Sequence, residues 1–272
     1  MKALVLSTNG SNEGEIELPL LFSTPFRYDL IHKVYTNLNS HHFQKQGRHP
    51  TAGMDNSADS LNPPTGHGQA RIARMKGGGG GRQGEAGEVA STRGGRQAHP
   101  PIVDKVIYKK INKKENKLAL CSAIAATASK KLIESRGHKI EKIKSFPIIV
   151  SDEIESISKA KDMSKLFDVL NLTQDIDRLR KRKPRTGKSA LRGRSKKIGK
   201  SVLFVTKNSE KLEKACGSFP GIEVRTVKNL SVLDLAPGSD PIRLTVYAKS
   251  ALEEIGKIES THLGLMVKIK WM

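Results

Sequence analysis

SVLFVTKNSEKLEKACGSFPGIEVRTV, residues 201–227, is the stretch that decides the fold of this chain. It opens with an apolar run of strand length at 201–206, continues with a helical pattern at 210–215 and closes with a second strand at 222–227. Strand, helix and strand in this order are typical of parallel strands joined by a covering helix. The alternation continues with a strand at 244–247 and a helix at 250–255. The sequence therefore predicts a layered α/β domain with a largely parallel sheet.

The N-terminal two thirds of the chain contribute further elements. Two short strands, 2–6 and 15–18, flank an Asn-Gly turn, and a helix is predicted from Pro25 to Leu38 with Thr24 as its N-cap. A longer helix is predicted over 116–135, where apolar residues recur at every fourth position. The other predicted elements are a strand at 146–150 and helices around 166–170 and 176–179.

The net charge restricts the partners of this protein. Lys and Arg number 48 against 27 Asp and Glu, which leaves a formal charge of +21. In a protein this basic, repulsion between like charges opposes the compact state unless a polyanion neutralises them. Nucleic acid is the usual polyanion. A membrane surface is the competing polyanion, but the sequence has no apolar run of about 18 residues that could span it. Acidic residues among the first 30 positions exclude a secretory signal, so we expect the protein to stay inside the cell.

Candidate catalytic and cofactor motifs are incomplete. Gly187–Lys188–Ser189 matches the end of a phosphate-binding P-loop, but Arg182 stands where the first glycine belongs, and no strand directly precedes the segment. The His41, His42 and His49 group lacks the carboxylate or thiol partners of a metal site. Cys121 and Cys216 are too few for a disulfide framework and are predicted to pack as small apolar residues. We therefore predict no catalytic residue, no metal and no cofactor.

A long basic stretch without periodicity interrupts the domain between about residues 41 and 101. Eleven of the 24 glycines lie between Gly66 and Gly95, and five of these form the run Gly77–Gly81. Arginine spaced through glycine suits close approach to phosphates, because glycine lets the backbone turn sharply and arginine offers a planar fork. A disordered Gly/Arg linker is the alternative. The candidate RNA-binding residues here are Arg71, Arg74, Lys76, Arg82, Arg93 and Arg96.

A second basic segment spans residues 178–200. It contains twelve Lys and Arg and no acidic residue, whereas a solvated helix face or charged surface normally mixes both signs. Aromatic residues make up 4% of the chain, so we expect contact with the backbone and shape of folded RNA rather than base stacking on aromatic side chains. A localisation signal is the alternative for part of it. The candidate phosphate ligands are Arg182, Lys183, Arg185, Lys188, Arg192, Arg194, Lys196 and Lys197.

Five motifs, in this order along the chain, resemble one known family. They are STPFRYDLI at 23–31, RGGRQAHPP at 93–101, LALCSAIAATA at 118–128, ALRGR at 190–194 leading into VLFVT at 202–206, and DLAPG at 234–238. Over about residues 2–256 the chain resembles the archaeal and eukaryotic type of large-subunit ribosomal protein four. The resemblance implies an α/β fold with three α/β/α layers, a small, largely parallel sheet and a long non-globular basic loop. It also carries rRNA contacts over to Arg93, Arg96, His99, Arg192 and Arg194.

The resemblance also implies where the long loop goes. Its tip is expected to help line the nascent-peptide exit tunnel, beside large-subunit protein twenty-two and the nascent peptide. On this sequence the tip maps to Met75, Lys76, Gly77, Gly78, Gly79, Gly80, Gly81 and Arg82.

We expect four parts in the chain. They are the start of the globular α/β domain at 1–40, an RNA-penetrating loop at 41–101, the rest of the globular domain at 102–256 including the basic segment 178–200, and a C-terminal tail at 257–272. The expected function is that of a non-enzymatic structural constituent of the large ribosomal subunit, in the cytoplasm, that binds 23S-type rRNA. The alternatives are a free regulatory RNA-binding protein and a nucleotide-dependent enzyme with its site at the C-terminal sheet.

Overall fold

Strands and helices alternate along the chain in the computed structural model, which describes residues 1–60, 65–68, 70–77, 81–143, 145–196, 199–240 and 242–270, without the side chains of 268–270. The strands are β1 (Lys2–Leu6), β2 (Asn12–Glu17), β3 (Ala58–Ser60), β4 (Ala73–Met75), β5 (Ile148–Val150), β6 (Leu203–Thr206), β7 (Glu223–Thr226) and β8 (Thr245–Ala248). The helices are α1 (Tyr28–Asn39), α2 (Lys113–Ala126), α3 (Lys130–Ser135), α4 (Ala160–Val169), α5 (Thr173–Arg180), α6 (Lys188–Leu191), α7 (Glu210–Cys216), α8 (Val232–Leu235), α9 (Lys249–Gly256) and α10 (Thr261–Lys270).

Contacts divide the chain into two units. The globular unit comprises residues 1–39 and 110–272, and the arm unit comprises residues 40–109. The six strands of the globular unit form one sheet in the order β2-β1-β5-β8-β6-β7. Only the β1–β2 pair is antiparallel among the described strands of this sheet, and every other neighbouring pair is parallel. The predicted α/β class, with a largely parallel sheet between layers of helices, is confirmed.

The centre of the sheet forms the core because its strands are apolar on both faces. All residues of β5, β6 and β8 are buried, and Phe204 of β6 lies in register between Val246 and Val224. Buried parallel strands are continuous apolar runs of this kind, since helices cover both of their faces. Cys121 and Cys216 are free and buried, as predicted, and burial raises the pKa of their thiols to about 11 and about 12.

Two predicted helices have different bounds in the structure. The predicted helix over 116–135 is two helices, α2 and α3, because Thr127 ends the first one: its hydroxyl donates to the carbonyl of Ile124 over 2.6 Å and lies 3.0 Å from the hydroxyl of Tyr247. The prediction of Thr24 as the N-cap of the first helix was wrong. The α1 helix begins at Tyr28, while Thr24 follows a short 3-10 helix, Leu20–Ser23, and its amide donates to Leu21.

The arm unit contains a short antiparallel hairpin that the sequence did not predict. Its strands β3 and β4 pair Ala58 with Met75 and Ser60 with Ala73. Three-residue strands are too short to show an alternating pattern in the sequence. Glycine is required where the backbone folds back on itself: a Cβ on Gly95 would lie 2.1 Å from the carbonyl oxygen of Val89. Gly53 and Gly95 therefore permit close backbone packing in the arm unit, whereas a Cβ on Gly66, Gly77 or Gly84 would meet no neighbouring atom of the described structure.

Candidate nucleic-acid interface

A buried carboxylate anchors the start of the second basic segment. Asp175 on α5 is fully buried, and its oxygens accept hydrogen bonds from the Ser201 hydroxyl (2.5 Å), the His138 ring Nδ1 (3.1 Å), the Arg178 Nε (3.0 Å) and the Lys139 amide (3.1 Å). Because Ser201 lies where the chain returns to β6 and Arg178 lies where it leaves α5, this single carboxylate joins the two ends of the segment. Arg178 also donates to the carbonyl of Lys200 over 3.3 Å.

The protonation of this network follows from its hydrogen bonds. The amide of Leu244 donates to Nε2 of His138 over 3.4 Å, so the ring is neutral and its Nδ1–H donates to Asp175. Burial lowers the pKa of His138, which keeps the ring uncharged. Burial opposes ionisation of Asp175, but the hydrogen bonds from His138, Ser201 and Arg178 outweigh it and hold the pKa of this carboxyl well below its ordinary range.

The Ser201, His138 and Asp175 side chains contain the residue types of a hydrolase triad without its geometry. Ser201 donates to the carboxylate rather than to the imidazole, and all three side chains are buried. A nucleophile must instead be hydrogen-bonded to its base and reachable by substrate. These residues therefore hold the fold together. Among the described residues, no group of three His, Cys, Asp or Glu side chains is arranged to hold a metal ion.

A buried arginine reinforces the same end of the sheet. The Arg243 side chain is fully buried and donates to the carbonyls of Ser201 (2.5 Å), Val202 (3.1 Å) and Gly221 (2.7 Å). It also forms an ion pair of 2.5 Å with Glu223, which Lys200 contacts as well. Although burial opposes its ionisation, these two cations lower the pKa of Glu223. Both ends of the basic segment are thus fixed by buried polar contacts that the sequence analysis did not identify.

Between these anchors the chain forms a closed loop over residues 182–196, which we call the hook. The amide of Arg185 donates to the carbonyl of Ser195 over 2.8 Å, and the amide of Arg194 donates to that of Ser189 over 2.9 Å. The short helix α6 lies inside the hook. Seven predicted cations are exposed on it and form no ion pair within the described part of the chain: Arg182, Lys183, Arg185, Lys188, Arg192, Arg194 and Lys196. The eighth, Lys197, lies outside the described residues.

Three of the predicted cations of the arm make contacts inside the arm unit. Arg74 donates to the carbonyl of Gly84 over 2.9 Å, and Lys76 forms an ion pair with Asp59. Arg82 donates to the carbonyl of Arg93 over 2.6 Å and to Glu85 over 3.0 Å. These contacts close the hairpin and the turn that follows it. The structure therefore gives these three side chains a role in shaping the arm, whatever else they contact.

The other predicted arm residues point outwards. Arg71, Arg93, Arg96 and His99 are exposed and have no side-chain partner among the residues that the structure describes. Of the predicted tip, Gly77 and Gly81 are exposed and Met75 is half-buried, while Gly78, Gly79 and Gly80 lie outside the described residues. The sequence analysis missed Arg48, which donates to Gln97 (3.0 Å) and to the carbonyl of Ala52 (3.1 Å).

A third group of cations was also missed. Lys113, Lys114 and Lys117 at the start of α2 are exposed and line a surface hollow of about 440 Å³ together with Glu259, Ser260 and Thr261. The basic run KKENK at 113–117 indicates this group of cations in the sequence. The sequence analysis interpreted the region only as an alanine-rich helix and did not consider its basic start. The globular unit thus carries two separate basic surfaces, the hook and this hollow.

The exposed cations of the hook form a surface suited to a polyanion. Phosphates condense counterions that are released when Lys or Arg neutralises them, and arginine can contact a phosphate through two parallel hydrogen bonds. Among the helices that the structure describes, none combines the length and the apolar character that spanning a lipid bilayer requires.

Comparison with known proteins places the chain in a family. The sequence profile of the ribosomal protein L4/L1 family matches residues 16–258. Large ribosomal subunit protein uL4 of Methanococcus aeolicus is 40% identical over 258 residues, which cover 94% of this chain and 99% of the relative. The proteins of the same name from Pyrobaculum aerophilum and Archaeoglobus fulgidus are 43% and 42% identical, covering 93% and 94% of this chain and 89% and 99% of the relatives. The chain therefore belongs to the ribosomal protein L4/L1 family.

Proposed function

We propose that this chain is a structural constituent of the large ribosomal subunit, in the cytoplasm, and that it binds 23S-type rRNA through the hook and the arm unit. One observation carries the proposal: the hook exposes seven cations, and residues 178–200 contain no acidic residue to neutralise them. As a member of the ribosomal protein L4/L1 family, the chain is a structural protein and not an enzyme.

The proposed binding mechanism is electrostatic and divided between two surfaces. The hook carries exposed cations on a backbone that is anchored at both ends. Little conformational entropy of the hook backbone is therefore lost when it binds RNA. In the arm unit, Arg71, Arg93, Arg96 and His99 are the proposed contacts, while Arg74, Lys76 and Arg82 keep the hairpin in shape. Ordering a glycine-rich arm costs conformational entropy, which offsets part of the gain from counterion release.

For the tip of the arm we propose a place in the wall of the nascent-peptide exit tunnel, next to large-subunit protein twenty-two. The tip suits this role because glycines at Gly77 and Gly81 present backbone without side-chain bulk, and the hairpin contacts of Arg82 hold the turn that follows. The nascent peptide would then pass along a surface of backbone amides and of Lys76. The family resemblance of 93–101 to the return from this loop supports the same placement.

A nucleotide-dependent enzyme is not favoured by the structure. Gly187, Lys188 and Ser189 lie in the exposed hook rather than after a strand, so they form no phosphate-binding loop of the P-loop type. A free regulatory RNA-binding protein remains the competing hypothesis, since the same basic surfaces would serve it.

Sedimentation of a cell lysate separates these two hypotheses. We expect the chain to co-migrate with the large subunit through a sucrose gradient and to stay there at salt concentrations that strip loosely bound basic proteins. The physical reason is that a hook and an arm embedded in folded RNA dissociate only if the RNA unfolds. A peripheral basic protein of similar charge, followed in the same gradient, is the control that should be released. Recovery of the chain only in the light fractions would contradict the ribosomal role.

Photo-crosslinking tests the proposed tunnel position. With a crosslinking amino acid at Lys76, we expect attachment to the peptide of ribosomes stalled during elongation. With the same group at Lys214, an exposed residue of α7 in the globular unit, we expect none. Crosslinks from both positions, or from neither while both proteins are incorporated, would contradict the tunnel assignment and leave rRNA binding untouched.

A further inference from the structure

The hook displays an apolar side chain that is almost fully exposed. Leu191 is the last residue of α6, and 87% of its surface is exposed, the largest fraction among the exposed large hydrophobic residues that the structure describes. No residue of α6 is buried. A helix of four residues with no fully buried side chain is not stable through its own hydrogen bonds. Its shape must therefore be imposed from outside the helix.

The surrounding backbone imposes that shape. Gly187 and Gly193, on either side of α6, adopt positive φ angles of 65° and 74°, which residues with a Cβ atom rarely adopt. The amides of Leu191 and Arg192 donate to the carbonyls of Gly187 and Lys188, each over 3.1 Å. With the closure of the hook described above, these contacts fix the direction of Leu191 away from the protein. The exposure is therefore a property of the hook and does not reflect a loose chain end.

The charges around Leu191 identify its partner. Lys188, Arg192 and Arg194 are exposed beside it in the hook. A molecule that encloses Leu191 must also cover these cations, and covering them with an apolar protein surface would leave buried charges unpaired. Folded RNA meets both requirements, because bases that are unstacked at bulges and loops present apolar faces between phosphates.

We propose that Leu191 packs against the face of an unstacked rRNA base while the flanking cations of the hook contact the adjacent phosphates. This inference rests on the proposed rRNA binding and adds a contact that is not electrostatic. The two kinds of contact differ in one measurable respect. Phosphate contacts release counterions and set the slope of affinity against salt concentration, whereas an apolar contact releases none.

The test uses the full chain and deproteinised large-subunit rRNA, with the dissociation constant measured over a series of salt concentrations. For Leu191→Ala we expect the affinity for RNA to be about ten-fold lower at every salt concentration, because part of one apolar side chain that is buried on binding is lost. The slope of log affinity against log salt concentration should not change. Leu191→Met, which keeps the apolar volume, should bind like the wild type. Leu191→Arg should bind more weakly than the wild type although it adds a positive charge.

Two controls make the result interpretable. Leu265→Ala removes an exposed leucine of α10 and should leave RNA affinity unchanged. The thermal midpoint of Leu191→Ala should equal that of the wild type, since the side chain is already 87% exposed in the free protein. Wild-type affinity for Leu191→Ala, or tighter binding with a steeper slope for Leu191→Arg, would overturn the inference. Absence of salt-dependent RNA binding by the wild type would instead refute the proposed function itself.

Discussion

Replacing Arg185, Lys188, Arg192, Arg194 and Lys196 together with glutamine should weaken binding to deproteinised large-subunit rRNA by up to about four powers of ten at 0.1 M salt. The reason is counterion release: each lost phosphate contact lowers the slope of log affinity against log salt by about 0.7–0.9, so five contacts remove up to about 3.5–4.5. All five side chains are exposed and have no ion pair among the described residues, so their removal leaves the fold intact. The measurement is a salt titration of RNA affinity.

A matched variant separates location from charge. Changing Lys161, Lys211, Lys214, Lys228 and Lys249 to glutamine removes the same charge from exposed positions of the globular unit outside the hook. We expect the slope of this variant to stay close to that of the wild type. Equal losses in the two variants would mean that the protein binds RNA through its overall charge, and the hook would then have no special role.

Asp175→Asn should lower the free energy of unfolding by about 3–5 kcal/mol, the cost of removing one partner from a buried ionic network. The substitution removes the charge that faces Arg178 and replaces two acceptor oxygens by one, so donors among Ser201, His138 and Lys139 lose their acceptor. Urea unfolding followed by circular dichroism measures the change. The control is Asp177→Asn on the same helix, where an exposed pair with Arg180 is lost and we expect less than about 0.5 kcal/mol.

The same variant should change how stability depends on pH. Because the folded state holds the pKa of Asp175 below its ordinary value of 3.8, the stabilisation from this carboxylate is complete above that pH and is lost as pH falls below it. The lowered pKa of His138 acts at higher pH: the unfolded state gains a proton below about pH 6.5 that the folded state resists, so stability also falls there. Asp175→Asn should therefore reduce the loss of stability below about pH 4 and keep the loss that begins near pH 6.5. A wild-type profile below pH 4 would contradict this assignment.

The sequence predicts the sheet of this protein well because its central strands are buried on both faces. Such strands are continuous apolar runs, and those predicted at 146–150, 201–206 and 244–247 appear in the structure as β5, β6 and β8 within a few residues of the predicted bounds. The strand predicted at 222–227 appears as β7 at the edge of the sheet. The predicted alternation with helices follows from the same pattern. By contrast, the hairpin of the arm unit is held by backbone pairing and by close packing at glycine positions. Neither feature produces a periodic pattern of apolar residues in the sequence.

The polar anchors of the hook could not be predicted, since they join residues that are distant in the chain. His138, Asp175, Ser201 and Arg243 come together only when α5, β6 and the start of β8 are placed side by side. The neighbouring sequence does not distinguish Asp175 from Asp177, two positions later, although Asp175 is buried and Asp177 is exposed. The cations of the hook were predictable because a run of Lys and Arg without acidic residues is visible in the sequence itself and does not depend on contacts between distant residues. The same composition could not show that Arg74 and Arg82 have partners inside the arm unit.

The two buried anchors at the ends of the hook also bear on how quickly the protein can bind. Because the backbone of the hook is closed when the globular unit folds, the backbone positions that carry its cations are set before any RNA is present. The search through chain conformations is then completed during folding and is not repeated at each collision with RNA. Under the proposed rRNA binding, capture through the hook would be limited by diffusion and long-range electrostatic attraction, which would suit this surface to the first encounters with the RNA.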